Sequence, residues 1–314
     1  MITDKKIATR DSYGHALVEL AKEHDNVVAL DADLADSTRT GMLKKEFPDR
    51  HFDCGIQEAN MAAVAAGLST TGLVPFISSF AMFAAGRAFE QVRNSIGYGH
   101  CNVKICATHA GLSVGEDGAT HQCLEDIALM RTIPGMVVIN PADDTEARAA
   151  VKAAYDYVGP VYIRLGRLAV PVFNDPDTYH FQIGKAETLK DGRDITIIAT
   201  GLLVKEAMDA AAVLDQQGIS CRVVNMATIK PLDQEAVLKA AKETGHIITA
   251  EEHNIIGGLG EAVAACLSEN LPTPLKRVGV RDEFGCSGPA ADVLKLYGLS
   301  ADNLVKTANE MLNK

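Results

Sequence analysis

Val103-Lys104-Ile105-Cys106-Ala107-Thr108-His109-Ala110-Gly111-Leu112-Ser113-Val114-Gly115-Glu116-Asp117-Gly118-Ala119-Thr120-His121-Gln122 is the stretch on which the fold turns. A short apolar β-prone run empties into a loop that carries two histidines, an acidic pair and three glycines. Open α/β sheets place their ligand crevice at the carboxyl ends of parallel strands, so this junction predicts both a parallel sheet and a site at its edge. Loops this polar rarely serve as core packing, so the segment reads as a site, with a solvated loop bearing surface histidines as the alternative. Metal ligation is disfavoured, because no third ligand stands at a usual spacing.

The same alternation continues on both sides. Apolar runs at 27–30, 73–77, 103–107, 136–139 and 161–165 read as strands, and helical patterns at 13–23, 57–67, 81–96, 124–132 and 143–157 lie between them. Around 171–191 two prolines and poor periodicity mark a connection. A second set follows, with strands at 195–199, 221–225, 246–249 and 275–280 and helices at 204–217, 234–244, 261–271, 290–296 and 301–312. The expected fold class is α/β, two consecutive domains, each a mostly parallel sheet flanked by helices. The expected boundaries are 1–170 for the first domain, 171–190 for the linker and 191–314 for the second.

Composition agrees with this class and excludes others. The 314 residues suffice for about two domains. A net charge of −11, spread along the chain, argues against a nucleic-acid partner, since phosphate neutralisation needs a basic surface. No apolar run approaches the length of a membrane span, and residues 1–10 lack the apolar core of a secretory signal. Seven cysteines without a Cys-x-x-Cys pair fit reduced thiols, so a cytoplasmic location is expected.

Several other residues could carry chemistry. Glu58 opens a helix rich in Ala and Gly, where a carboxylate is favoured by the helix dipole and the small side chains demand close packing. Asp31 and Asp33 with Ser37, and Arg164 with Arg167, stand at further strand ends. No Gly-x-Gly-x-x-Gly turn precedes the acids, so the sequence does not signal dinucleotide binding. Gly257-Gly258-Leu259-Gly260 lacks the Lys-Ser/Thr of a P-loop and reads as a tight turn into a helix.

Gly55-Ile56-Gln57-Glu58-Ala59-Asn60-Met61, Pro75-Phe76-Ile77-Ser78-Ser79-Phe80 and Gly115-Glu116-Asp117-Gly118-Ala119-Thr120-His121-Gln122, in that order, resemble the pyrimidine-binding domain of transketolases. Glu251-Glu252-His253, the 257–260 turn, Arg277-Val278-Gly279-Val280 and Phe284-Gly285 are similar to the C-terminal domain of the same family. The resemblance spans nearly the whole chain. Thiamine-dependent members hold the cofactor diphosphate and Mg²⁺ with a further N-terminal domain marked by Gly-Asp-Gly, a motif that does not occur in these 314 residues. The resemblance therefore implies the C-terminal subunit of a split transketolase, with a separate N-terminal subunit as partner and two copies of each chain.

Carried over residue by residue, the resemblance makes Glu58 the hydrogen-bond partner of the aminopyrimidine ring, with Phe80 and Phe83 as its cofactor-binding rings. His121 and Asp117 would contact sugar hydroxyls, with His121 near the reacting carbonyl. Arg10, Ser37, His109 and Arg167 would grip a substrate phosphate. The cofactors implied are thiamine diphosphate and Mg²⁺, with no metal ligand on this chain, and the implied reaction is ketol transfer between sugar phosphates in the pentose phosphate pathway. Gly86 departs from the family, falling near a position that often carries an aromatic ring. Three alternatives stay open: a deoxyxylulose-phosphate synthase-like enzyme, the beta subunit of a 2-oxo-acid dehydrogenase, and a non-catalytic α/β binding or scaffold protein.

Overall fold

The computed structural model describes residues 5–313. Residues 1–4, at the start of the first expected domain, and residue 314, at the end of the second, lie outside the described residues. The strands run, in chain order, β1 (Lys6–Ala8), β2 (Val27–Asp31), β3 (His51–Asp53), β4 (Val74–Ser78), β5 (Lys104–Ala107), β6 (Val137–Ile139), β7 (Val161–Arg164), β8 (Ala169–Pro171), β9 (Glu187–Lys190), β10 (Ile195–Ala199), β11 (Cys221–Asn225), β12 (Thr228–Lys230), β13 (Ile247–Asn254) and β14 (Leu275–Val280).

The first domain is built on a seven-stranded sheet in the order β12-β6-β7-β5-β4-β2-β3. All its pairings are parallel except that of β12 with β6. The period of two along each strand sends alternate residues into two separate cores. Ile77, Ile105 and Tyr162 pack on one face with the Ala-rich helix Glu58–Ser69, whereas Phe76, Cys106, Val161 and Ile163 pack on the other with helices Thr9–Glu23 and Asp144–Asp156. The second domain repeats the plan with a five-stranded sheet, β14-β13-β10-β11-β9, in which only the edge strand β9 runs antiparallel.

Several details depart from the pattern read in the sequence. The segment expected as one helix over 81–96 is interrupted by wide π-helical turns at Met82–Arg87 and Val92–Tyr98, a distortion that recurs at functional sites. Within the connection expected at 171–190, Glu187–Lys190 forms β9, a half-exposed charged edge of the second sheet. β12, from the second half of the sequence, joins the first sheet instead of the second. The turn read at 257–260 does lead into a helix, Leu259–Asn270, and its free amides are taken by the chain's own Glu251 carboxylate, 2.7 Å from both Leu259 N and Gly260 N.

The strand order reverses direction between β2 and β4, since β3 lies beyond β2 on one side and β5 beyond β4 on the other. Such a switch point leaves a crevice at the carboxyl ends of the two strands. Asp31 and Ser78 are register partners at that edge, and the chain continues from them towards Ser37 and Phe80.

Candidate functional site

The loop after β5 is tied to the loop after β4 by backbone bonds, Ala81 N to Thr108 O at 2.7 Å and Thr108 N to Ser79 O at 3.0 Å. This places Phe80 under His109, with the rings stacked at 3.8 Å between centroids. His109 holds a left-handed backbone, φ 55°, which is costly for a residue with a Cβ and characteristic of sites where geometry is imposed. Gly111, φ 82°, follows it, and a Cβ there would meet the Glu252 carboxyl carbon at 2.3 Å. The second domain therefore presses directly against the loop and leaves no space for a side chain.

His109 is buried and bonded on both ring nitrogens. Arg10 Nη1 lies 3.0 Å from Nε2 and Thr108 Oγ1 lies 2.9 Å from Nδ1. A guanidinium N–H can only donate, so Nε2 accepts and the ring proton sits on Nδ1. Burial, then the charges of Arg10, Arg167 and Arg39, push the His109 pKa down to about 3. A neutral imidazole thus stands among three arginines. Arg10 Nη1 also donates to the Ser37 carbonyl at 3.1 Å. Arg167 Nη1 donates to Val114 O at 2.6 Å and faces Glu116 at 3.4 Å.

Glu58 stands at the other end of the site. It opens its helix after Gln57, is 1% exposed, and accepts from Arg87 Nη1 at 2.8 and 3.0 Å. The Arg87 guanidinium lies over the Phe83 ring at 4.3 Å, a cation–π contact. Phe83 stacks loosely on Phe80 at 5.8 Å, and His121 meets Phe83 edge-on at 5.5 Å and Phe80 at 6.2 Å. His121 Nδ1 is 2.9 Å from Thr120 Oγ1.

Glu58, Phe80, Phe83, His121, His109, Arg10 and Ser37 are thereby joined in one line of contacts through Arg87. Arg167 lies close enough for its charge to act on Arg10 and His109. Asp117 is exposed, and its side chain makes no hydrogen bond or ion pair among the described residues. Sequence reasoning missed Arg87 and Arg39. Arg87 lies 29 residues from Glu58, and no local pattern signals a pairing between two helical segments that the fold packs on the same face of the sheet. Among the described residues no group of three or more His, Cys, Asp or Glu is arranged to hold a metal. A cavity of about 640 Å³ opens beside Arg87 and Phe83, walled on the far side by Gln122, Asn254 and Phe284.

Comparison with known proteins identifies both domains. Residues 5–172 match the family model described as the transketolase pyrimidine binding domain, and residues 184–304 the model of the transketolase C-terminal domain. The chain is 45% identical over 97% of its length to a 6-deoxy-6-sulfo-D-fructose transketolase subunit of Clostridium sp. (strain MSTE9), covering 94% of that protein. It is 42% identical to an apulose-4-phosphate transketolase subunit of Phocaeicola vulgatus, with both chains covered in full, 100% each. A solved structure titled as a split gene transketolase, inactive beta4 tetramer, superposes with a TM-score of 0.91 at 52% identity, covering 98% of this chain and 99% of the other. With both domain models matched in order and full-length relatives on either side, the chain belongs to the transketolase family.

Proposed function

We propose that this chain is the C-terminal subunit of a two-subunit, thiamine-diphosphate-dependent transketolase that moves a two-carbon ketol unit between sugar phosphates. The observation that carries this reading is the unbroken line of contacts from the buried Glu58 carboxylate, past Phe83 and Phe80, to the Arg10–His109 pair. It sets a carboxylate and flat apolar rings at one end and an anion site at the other, which is the order a cofactor and a phosphorylated substrate require.

The residues present suit an aminopyrimidine. Glu58 offers a desolvated acceptor whose side-chain partner is a half-exposed arginine, and Phe83 and Phe80 supply stacking surface worth about 0.5–1.5 kcal/mol beyond area burial. When bound, thiamine diphosphate supplies the carbanion chemistry, and the protein contributes orientation and protonation. Glu58 holds the ring and its proton, Phe80 and Phe83 exclude water, and His121 exchanges a proton with the sugar hydroxyls beside it. His109, Arg10, Arg167 and Ser37 fix the phosphate, with His109 acting as a neutral group. Asp117 contacts a sugar hydroxyl further along.

The diphosphate and Mg²⁺ fall to the separate N-terminal subunit. Two copies of each chain form the working assembly, since a two-fold arrangement is the commonest closed symmetry. A cytoplasmic location fits the seven free cysteines. Among the described residues no helix is long and apolar enough to cross a membrane. A role in the pentose phosphate pathway is one use of such an enzyme.

The test is co-expression with a candidate N-terminal half, purification of the complex, and assay of ketol transfer with thiamine diphosphate and Mg²⁺. Turnover of sugar phosphates by the complex, and none by this chain alone, is expected. Turnover of 2-oxo acids in their place would transfer the reading to a 2-oxo-acid dehydrogenase subunit.

A further inference from the structure

Arg39 lies outside the set that the family resemblance supplies, yet the fold delivers its charge to the same place. It ends the short helical turn Ala35–Thr38 with a left-handed backbone, φ 73°. A glycine would sit there without strain, so the side chain is retained against a conformational cost. Among the described residues six non-glycine residues hold positive φ. Two besides Arg39 flank the same crevice: Asp33, which lines a cavity with Ser37, and His109.

The Arg39 side chain is tethered rather than loose. Its Nε donates to the Asp11 carboxylate, and its Nη1 donates to Asp36 O at 3.0 Å. Its Cβ packs so closely on the helix Thr9–Glu23 that a Cβ on Gly14 would lie 2.6 Å away. Nη2 makes no hydrogen bond among the described residues, and the side chain is 34% exposed. Ser37, two residues earlier, accepts from Arg10 on its carbonyl, so the turn that carries Arg39 is bonded directly to the Arg10–His109 pair. The Arg39 charge is felt at both partners. Arg10 touches the neutral imidazole, Arg39 is held by Asp11, the neighbour of Arg10 in sequence, and Arg167 is held by Val114 O and Glu116 on the loop that carries His109. In these ion pairs Asp11 and Glu116 face Arg39 and Arg167, and Arg10 has no carboxylate partner among the described residues.

We propose that Arg39 is a third arginine of the substrate-anion subsite and sets a preference for a dianionic terminus, a phosphate, over a monoanionic one such as a sulfonate. This rests on the reading of Arg10, His109 and Arg167 as an anion site. A planar guanidinium added to a site already holding two raises selectivity through charge more than through shape.

The test is a titration of the full chain with inorganic phosphate and, separately, methanesulfonate at about pH 8, where phosphate is mainly dianionic, following the His109 imidazole resonance. Wild type, Arg39→Gly, which suits the left-handed backbone, and Arg39→Lys, which keeps the charge, are compared. Arg39→Gly should weaken phosphate on the order of fivefold or more, weaken methanesulfonate only about twofold because a single negative charge feels half the Coulomb energy, and be largely rescued in Arg39→Lys. Equal weakening of both anions, or unchanged phosphate affinity, would overturn the proposal. In the assembled enzyme the same substitution should raise KM for a phosphorylated ketose and spare its unphosphorylated counterpart. An inactive wild-type complex would count against ketol transfer, while the phosphate titration would still decide on Arg39.

Discussion

Arg87 Nη1 reaches both carboxylate oxygens of Glu58, at 2.8 and 3.0 Å, from a side chain that is 51% exposed while the Glu58 side chain is 1% exposed. The acid is committed to the interior and its counter-charge is not. Glu58→Gln keeps the shape and removes the charge, so turnover of the reconstituted complex should fall by about 10²–10⁴, with assembly unchanged by size-exclusion chromatography. An active Glu58→Gln complex would show that the carboxylate is misassigned.

The converse substitution reads stability. Arg87→Met leaves a buried carboxylate without its cation, and the cost falls between that of an exposed pair, about 0–1 kcal/mol, and that of a broken buried one, about 3–5 kcal/mol. Urea unfolding should place it at about 1–3 kcal/mol. Glu58→Gln, which leaves only a half-exposed arginine behind, should cost less.

His109 gives a pH signature. Its folded pKa of about 3 lies below the ordinary histidine value of 6.5, so between these limits the unfolded chain binds a proton that the native chain does not. The contribution is fully present above pH 6.5 and is lost as pH falls towards 3. By NMR, the His109 ring should therefore show no titration between about pH 8 and pH 5, and Arg10→Gln, which removes the nearest charge, should raise its midpoint. A midpoint near the ordinary value in the wild type would contradict the burial described.

Arg167 is anchored by Val114 O and Glu116 on the loop after β5. Arg167→Ala should chiefly raise KM for phosphorylated substrates, by about tenfold to a hundredfold for the loss of a charge-assisted contact. An equal effect on unphosphorylated sugars would remove its phosphate role.

Arg164 joins the two domains. It is 3% exposed and donates to Asp126 Oδ2 at 2.9 Å and to Glu252 O at 2.9 Å. Arg164→Met should destabilise the chain by about 3–5 kcal/mol, because Asp126 is left as an unpaired buried charge. Thermal unfolding measures this, and a change within about 0.5 kcal/mol would show the pair to be dispensable.

Much of the scaffold was legible because its signals are local. The strands at 195–199, 221–225 and 275–280 coincide with β10, β11 and β14, where apolar β-branched runs are flanked by polar breaks. Some short strands were legible, as Val137–Ile139 was, and others were not. His51–Asp53 and Thr228–Lys230 hold three residues each, and only their pairing to β2 and β6 makes them strands. The helix over 81–96 failed in a different way, since its periodicity is helical and only tertiary packing widens it into π turns. In the site, the loop after β5 announced itself by composition. The Glu58–Arg87 pair did not, and neither did the Asp11–Arg39 pair, 28 residues apart, because both depend on which strand carboxyl ends the topology sets side by side.

β12 belongs by sequence to the second half of the chain and by hydrogen bonding to the first sheet, where Thr228 pairs with Ile139 and Lys230 with Val138. The halves are thus stitched by a shared ladder as well as by side chains. A fragment cut at the connector would bare the outer edge of β6, an invitation to pair with a neighbouring molecule. The two domains are accordingly expected to unfold together, and a cut at the connector to cost the first sheet its edge strand.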